Sequence, residues 1–474
     1  MNKALRVVIA TLIVALLALT LGASAASAWT WTPAPPVPPP QTVVYNLYAT
    51  DGWVTLADGT PMYIYGYIGG RASENLTYVD SAGVLQITGA PTPTPVGGPI
   101  QPAEAALAGN AQLPAPCIYA RVGDVVQINF KNLGTTNPTA PNDPHTIHLH
   151  GLDVDAANDG VPETSVAAVP ANSGDPGAGN VIVYMFSPKN PGSYMYHCHQ
   201  EADIHVQMGM YGALVVYNKT DAAAMNGGPG KGFGGQLFGW KYDKDVILLL
   251  TEVDLRQHVS EETSTAFNPV DYQPRYWLMN GLSFPNTIHA GAPVVGGSFA
   301  DWLAAHPNYD PLITGSASAG TKVLVRLINL GFETQPIHWH GFHAKVIGSD
   351  QRAWYWGNAP WGSGLEKNTV TIGSGETYEL LFNLGQQKAT STYPAGTQTR
   401  YDPITGLLYA NTQTAYPGIP ADPTNTYLTG PVVTGAIGVP AAGQFFPMHN
   451  HDDYKATNDG VYPGGQFTMI EMLP

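Results

Sequence analysis

An all-β fold in two similar halves is what this 474-residue sequence predicts, and three observations carry it. The 53 Gly and 41 Pro, set against only 12% charged residues, fit many short strands joined by tight turns and argue against long helices. An alternating run that delivers a histidine pair occurs twice: Ala120–Phe130 ahead of His148-Leu149-His150-Gly151, and Gly320–Leu330 ahead of His338-Trp339-His340-Gly341. Alternation marks strands and repetition marks related units. The length allows two or three domains, each with a substantial core.

In chain order, residues 1–28 read as an export signal. Lys3 and Arg6 open it, Val7–Leu21 is apolar, and Ala-Ser-Ala follows at 23–25 and 26–28. The segment is either cleaved there or kept as a membrane anchor, since its apolar run is close to spanning length. Both place the protein outside the cytoplasm: periplasmic, cell-surface or extracellular. Residues 29–41 form a loose mature N-terminus. A first domain is expected over 42–222 and a second over 243–474. The stretch 223–242 is the linker, flexible by composition because Asn226–Gly235 is mostly glycine. The Thr/Pro/Gly/Tyr-rich stretch around 386–442 reads as long second-domain loops. A net charge of −15 excludes a nucleic-acid partner, and by steering alone it mildly favours cationic ones.

Four histidine pairs carry the chemistry: His148/His150, His197/His199, His338/His340 and His449/His451. On a strand each pair aims two imidazoles to one face, an arrangement that suits copper or zinc. Cys198 lies inside the second pair, so its sulfur points to the other face. By parity His145 also faces away from His148 and His150, and His205 and Met210 follow downstream. A thiolate, two imidazoles and a weak thioether make a blue, electron-transferring copper site. That site is read as His145, Cys198, His205 and Met210, with Met208 as the rival axial ligand. The other cysteine, Cys117, has no partner and reads as a small buried side chain.

The halves diverge at this site. Aligning the pairs puts Gln335 where His145 stands and Asn450 where Cys198 stands, so the second half keeps its histidine pairs and loses the thiolate site. His343 reads as a structural or supporting histidine, and Trp354, Tyr355, Trp356 and Trp361 as packing. His258, His289 and His306 belong to no constellation.

These residues together resemble the multicopper oxidases, specifically the two-domain, laccase-like branch. The marks are the first H-x-H-G, the run Tyr196-His197-Cys198-His199 with its downstream His and Gly-Met, and the closing H-x-H. The resemblance implies two cupredoxin domains, Greek-key β-barrels or sandwiches, and four coppers per chain. The type 1 copper is the blue one. His148 and His338 would hold the type 2 copper, and His150, His197, His199, His340, His449 and His451 the type 3 pair. The implied reaction couples one-electron oxidation of a phenol or a metal ion to four-electron reduction of oxygen to water. Asp159 matches a family acid that relays protons; a turn residue in Asn-Asp-Gly is the alternative. Two departures stand out. The Cys198-to-His205 interval is two residues longer than in laccases, and Val206 stands where many relatives carry an acid. Glu201 and Asp203 in the lengthened loop either bind a cationic reductant, accept a phenol's hydrogen bond, or are simply solvated.

Each domain supplies four cluster histidines, so neither completes a three-copper site alone. The resemblance implies a head-to-tail homotrimer with clusters at subunit interfaces. Halves meeting within a monomer through the long loops are the alternative. A copper nitrite reductase and a non-catalytic copper-binding protein are the rival functions. The first needs one catalytic copper with three histidines, and the second would be supported by methionine-rich tracts absent here.

Overall fold

The computed structural model describes residues 37–89, 100–171, 181–289, 293, 297–316, 320–354, 365–384, 401–402, 407–408 and 444–473. The export signal and nearly all of 386–442 lie outside these. Residues Pro40–Pro474 form one compact unit. The fold is all-β: among the described residues the longest helix is Leu255–Thr263, of 9 residues, and none is long and apolar enough to cross a membrane.

Within the compact unit the chain builds two pairs of sheets. In the first half, one sheet runs in the order Pro61–Arg71, Thr42–Thr55, Val125–Asn132, Val181–Phe186. The other runs Ile118–Arg121, Tyr211–Tyr217, Gly192–His197, His148–His150. The second half repeats the plan. Thr42–Thr55 pairs in parallel with Val125–Asn132, as Lys244–Val253 does with Lys322–Asn329. Ile118–Arg121 lies parallel to Tyr211–Tyr217, as Ile313–Ser316 lies parallel to Phe467–Leu473. The sequence repeat is therefore a repeat of strand pairing.

Alternation fills the first core with Tyr45, Leu47, Tyr63, Tyr65, Tyr67, Ile128 and Phe130 and the second with Leu248, Val325, Leu327, Trp339 and Phe382. A third cluster joins the halves, packing Met195, Ala213 and Val215 with Ile247, Leu249 and Leu278. Beside it Arg326, 1% exposed, reaches Asp245 at 2.8 Å and Glu379 at 3.5 Å. Glu379 also accepts from the Ser193 backbone N–H at 2.7 Å, so the ion cluster ties the second half to the strand that leads into His197. Burial pushes the Glu379 carboxyl up, and the Arg326 charge opposes that.

The glycine-rich linker is held rather than free. Asn308 donates to the carbonyls of Gly227 and Pro229, both at 2.7 Å. Gly235–Leu237 and Trp240–Tyr242 form a hairpin. Composition alone could not register these long-range partners.

The unassigned histidines pack. His258 and His306 are buried, and each donates Nδ1–H to a backbone carbonyl, of Tyr63 at 2.6 Å and of Trp302 at 2.9 Å. Burial pushes both imidazoles down to about 4. His289 pairs with Asp310 at 2.8 Å, and His343 is exposed. Trp354, the described member of its aromatic group, packs on Tyr378. Cys117 is free and buried.

Candidate metal centre

Three short elements converge on Cys198. His145 sits just before the strand His148–His150, and Cys198 just after Gly192–His197. His205 ends a single helical turn, Ala202–His205, entered through Glu201 at φ 43°. The Cys198 sulfur lies 3.9 Å from His145 Nδ1 and 3.4 Å from His205 Nδ1, and the two rings are 4.6 Å apart. A trigonal ion with bonds of about 2.0–2.3 Å needs donors about 3.5–4 Å apart, so the three fit one metal. All three are buried, and Met208 and Met210 are both fully enclosed nearby. The Thr146 backbone N–H points at the sulfur from 3.4 Å, the kind of contact that tunes a metal–thiolate bond. Burial alone would lower the His205 imidazole. The Asp143 carboxylate and the Cys198 sulfur beside it win instead and push it up to about 10. His145 goes the other way, held well below the usual imidazole range by burial and then by His205.

On the opposite face four imidazoles gather. The His148 ring lies 5.7 Å from His150, 5.0 Å from His197 and 5.2 Å from His199. His148 Nδ1 meets the Asp159 carbonyl at 2.7 Å and His197 Nδ1 the Cys198 carbonyl at 2.9 Å. A carbonyl only accepts, so each Nδ1 carries the proton and each Nε2 keeps a free lone pair for a metal. Burial, then the neighbouring rings, pushes His197 down to about 3. The second half repeats this. His338 donates to the Asn368 carbonyl at 2.7 Å and His449 to the Asn450 carbonyl at 2.9 Å. His338 lies 4.9 Å from His340 and 5.1 Å from His451. His340 Nε2 faces His449 Nε2 at 3.2 Å. The His449 proton is already committed to Asn450, so His449 Nε2 turns a free lone pair toward His340. Among the described residues ring contacts join the four histidines within each half and none across the halves.

The two halves hold their pairs in one register: His148 opposite His197 and His338 opposite His449. Gly151 and Gly341, which end the first pair of each half, take φ 85° and 77°, a region that disfavours other residues. The register also fixes the divergence. Cys198 N–H bonds to the Met210 carbonyl and Asn450 N–H to that of Gln466. Met210 N–H bonds to the His205 carbonyl and Gln466 N–H to that of Lys455. The backbone positions of His145, Cys198, His205 and Met210 are thus taken in the second half by Gln335, Asn450, Lys455 and Gln466. Asn450 donates to Gln335 at 2.6 Å and to Gln466 at 2.8 Å. Gln335 donates to Glu252 at 2.9 Å. Lys455 pairs with Glu333 at 3.1 Å and Asp452 at 3.2 Å. A hydrogen-bonded plug fills the position of the thiolate site. Sequence alignment found Gln335 and Asn450 but missed Lys455 and Gln466, because the spacing differs in both directions: Lys455 follows Asn450 by 5 residues where His205 follows Cys198 by 7, and Gln466 by 16 where Met210 follows by 12.

Around His205 the structure brings in Asp143, 3.7 Å from its Nε2, alongside Glu201 at 3.8 Å. Asp203, which the sequence grouped with Glu201, is exposed and contributes only its carbonyl, to Gln257. Asp143 escaped notice because it precedes His145 in a Pro-rich run with no spacing signal. Asp159 lies with Oδ1 3.4 Å from His148 Nδ1.

The family model described as "Multicopper oxidase" matches residues 83–220 and 301–389. The chain belongs to the multicopper oxidase family. Copper is the metal this family implies, and the donor sets above fit it. The multicopper oxidase MmcO of Mycobacterium tuberculosis is 25% identical over 309 residues, 62% of this chain and 51% of that protein. Putative laccase-9 of Oryza sativa is 26% identical, over 57% of this chain and 38% of that protein. This multicopper oxidase spans about half or less of the length of these curated relatives. The blue copper oxidase of Nitrosomonas europaea has the same fold, with a TM-score of 0.52, 18% identity, and coverage of 91% of this chain and 86% of that one.

Proposed function

We propose that this multicopper oxidase is an exported, laccase-like enzyme that takes single electrons from phenolic or metal-ion reductants and reduces oxygen to water. One observation carries the reading: two halves in one register each present four imidazoles, and only the first keeps a cysteine, two histidines and a methionine on its other face. The domains proposed are 42–222 and 243–474. His145, Cys198, His205 and Met210 would hold the type 1 copper, and Met210 is preferred because its backbone is bonded to both Cys198 and His205. His148 and His338 would hold the type 2 copper, and the other six paired histidines the type 3 pair. When bound, the four coppers supply a one-electron acceptor and a store for the four electrons oxygen needs.

The chain's own groups do the rest. Cys198 is the covalent tie between the two sites, with its sulfur on one side and its flanking imidazoles on the other. Asp143 and Glu201 place negative charge at the His205 edge, where they would attract a metal-ion reductant or accept a phenol's hydrogen bond. Asp159 steadies His148 through its carbonyl and carries a carboxylate able to hand on protons. Among the described residues no ring contact joins the two groups of four histidines, which supports a three-copper site completed between copies, in a head-to-tail ring closed at three.

Light scattering across a gel-filtration profile of the copper-loaded protein, with oxygen uptake measured on each fraction, tests this. The activity is expected to elute at the mass of three chains. Full activity at the mass of one chain would overturn the shared site.

A further inference from the structure

His205, through which an electron would enter the thiolate site, is fully buried. Its Nε2 has no hydrogen-bond partner and lies beneath Asp143 and Glu201. With that atom enclosed, a bulky reductant cannot touch it directly. A different line of side chains does run from the surface to the same site. Trp53 is 49% exposed and stands opposite Tyr63 in the strand pair Thr42–Thr55 and Pro61–Arg71. Their rings are 5.4 Å apart. Tyr63 and Tyr65, two residues apart on one face of the strand, are 5.7 Å apart. Tyr65 lies 5.9 Å from His205 and 6.1 Å from His145. Each contact falls in the ordinary range for packed aromatic rings. Packing alone does not explain a second feature. Each phenol donates to its own carboxylate, Tyr63 to Asp51 at 3.0 Å and Tyr65 to Glu261 at 3.3 Å. A tyrosine gives up an electron readily only when its proton has somewhere to go, and both tyrosines here have an acceptor in place.

We propose that Trp53, Tyr63 and Tyr65 form an electron relay through which phenols too bulky to reach His205, such as polymer-bound ones, are oxidised at the protein surface. The inference rests on the function proposed above, which supplies the oxidant: the oxidised blue site, renewed by oxygen. Tyr65 gives one electron to that site and its phenolic proton to Glu261. Tyr63 then refills Tyr65, which recovers its proton from Glu261, while the Tyr63 proton passes to Asp51. Trp53 refills Tyr63 in turn, and the proton returns from Asp51. The external phenol gives one electron to Trp53 and its proton to water. The net change is one phenol converted to a phenoxyl radical and a proton, with the blue site reduced by one electron. Electron transfer weakens steeply with distance, so three ring-to-ring hops outrun one long jump from the surface.

The test follows bleaching of the blue band on anaerobic mixing of the copper-loaded protein with a phenol tethered to dextran, and separately with the same phenol free. Bleaching reads one-electron entry and is independent of turnover. Tyr63→Phe and Trp53→Phe keep the aromatic packing and remove the oxidisable group. Each is expected to lower the tethered-to-free ratio of bleaching rates by about tenfold or more. Trp53→Tyr, which is oxidisable, is expected to restore much of the ratio. A purely packing role predicts that Phe and Tyr at position 53 behave alike. An unchanged ratio in blue Tyr63→Phe and Trp53→Phe proteins would overturn the relay alone. A wild-type protein with no blue band would overturn the copper reading and the relay with it.

Discussion

Replacing Cys198 by Ser is expected to abolish the blue colour and turnover while leaving the paired histidines able to bind metal. The sulfur is the only thiolate facing His145 and His205, at 3.9 and 3.4 Å, and a hydroxyl cannot supply the copper–thiolate bond on which the colour depends. The matched control is Asn450→Ser at the equivalent place in the second half. Asn450 plugs that position through Gln335 and Gln466. Its loss should cost about 1–3 kcal/mol of stability, the penalty for stranding buried polar groups, without touching the colour. Absorption spectra of the two copper-loaded variants check both. Loss of colour in Asn450→Ser would place the blue site in the wrong half.

Arg326→Met is expected to be the most destabilising single change outside the metal sites. It removes a fully enclosed guanidinium and leaves Asp245 and Glu379, 1% and 0% exposed, without their counter-charge. Breaking a buried pair from one side costs about 3–5 kcal/mol. Urea denaturation should show a loss of that size, and adding Asp245→Asn and Glu379→Gln should recover part of it. A loss below about 1 kcal/mol would mean that water or rearrangement compensates the carboxylates. Because Glu379 also grips Ser193, the variant should loosen the contact between the halves as well as the second core.

The sequence made the β architecture, the repeat and the histidine pairs legible because each depends on period-two spacing, which a strand enforces locally. Cys198 could be set apart from His197 and His199 for the same reason. What stayed hidden depends on contacts distant in sequence. Asp143 meets His205 across 62 positions of chain, a distance no spacing rule covers. Lys455 and Gln466 became visible as the counterparts of His205 and Met210 only through matching backbone hydrogen bonds. The glycine-rich linker read as free because composition records backbone freedom and not the side chains, such as Asn308, that take it away.

The most direct test of the whole account is the copper content of the fully loaded protein, measured by elemental analysis against protein concentration. One thiolate site and eight paired histidines predict about four coppers per chain, whichever copies share them. About two per chain would contradict the three-copper cluster and favour a nitrite-reductase-like arrangement.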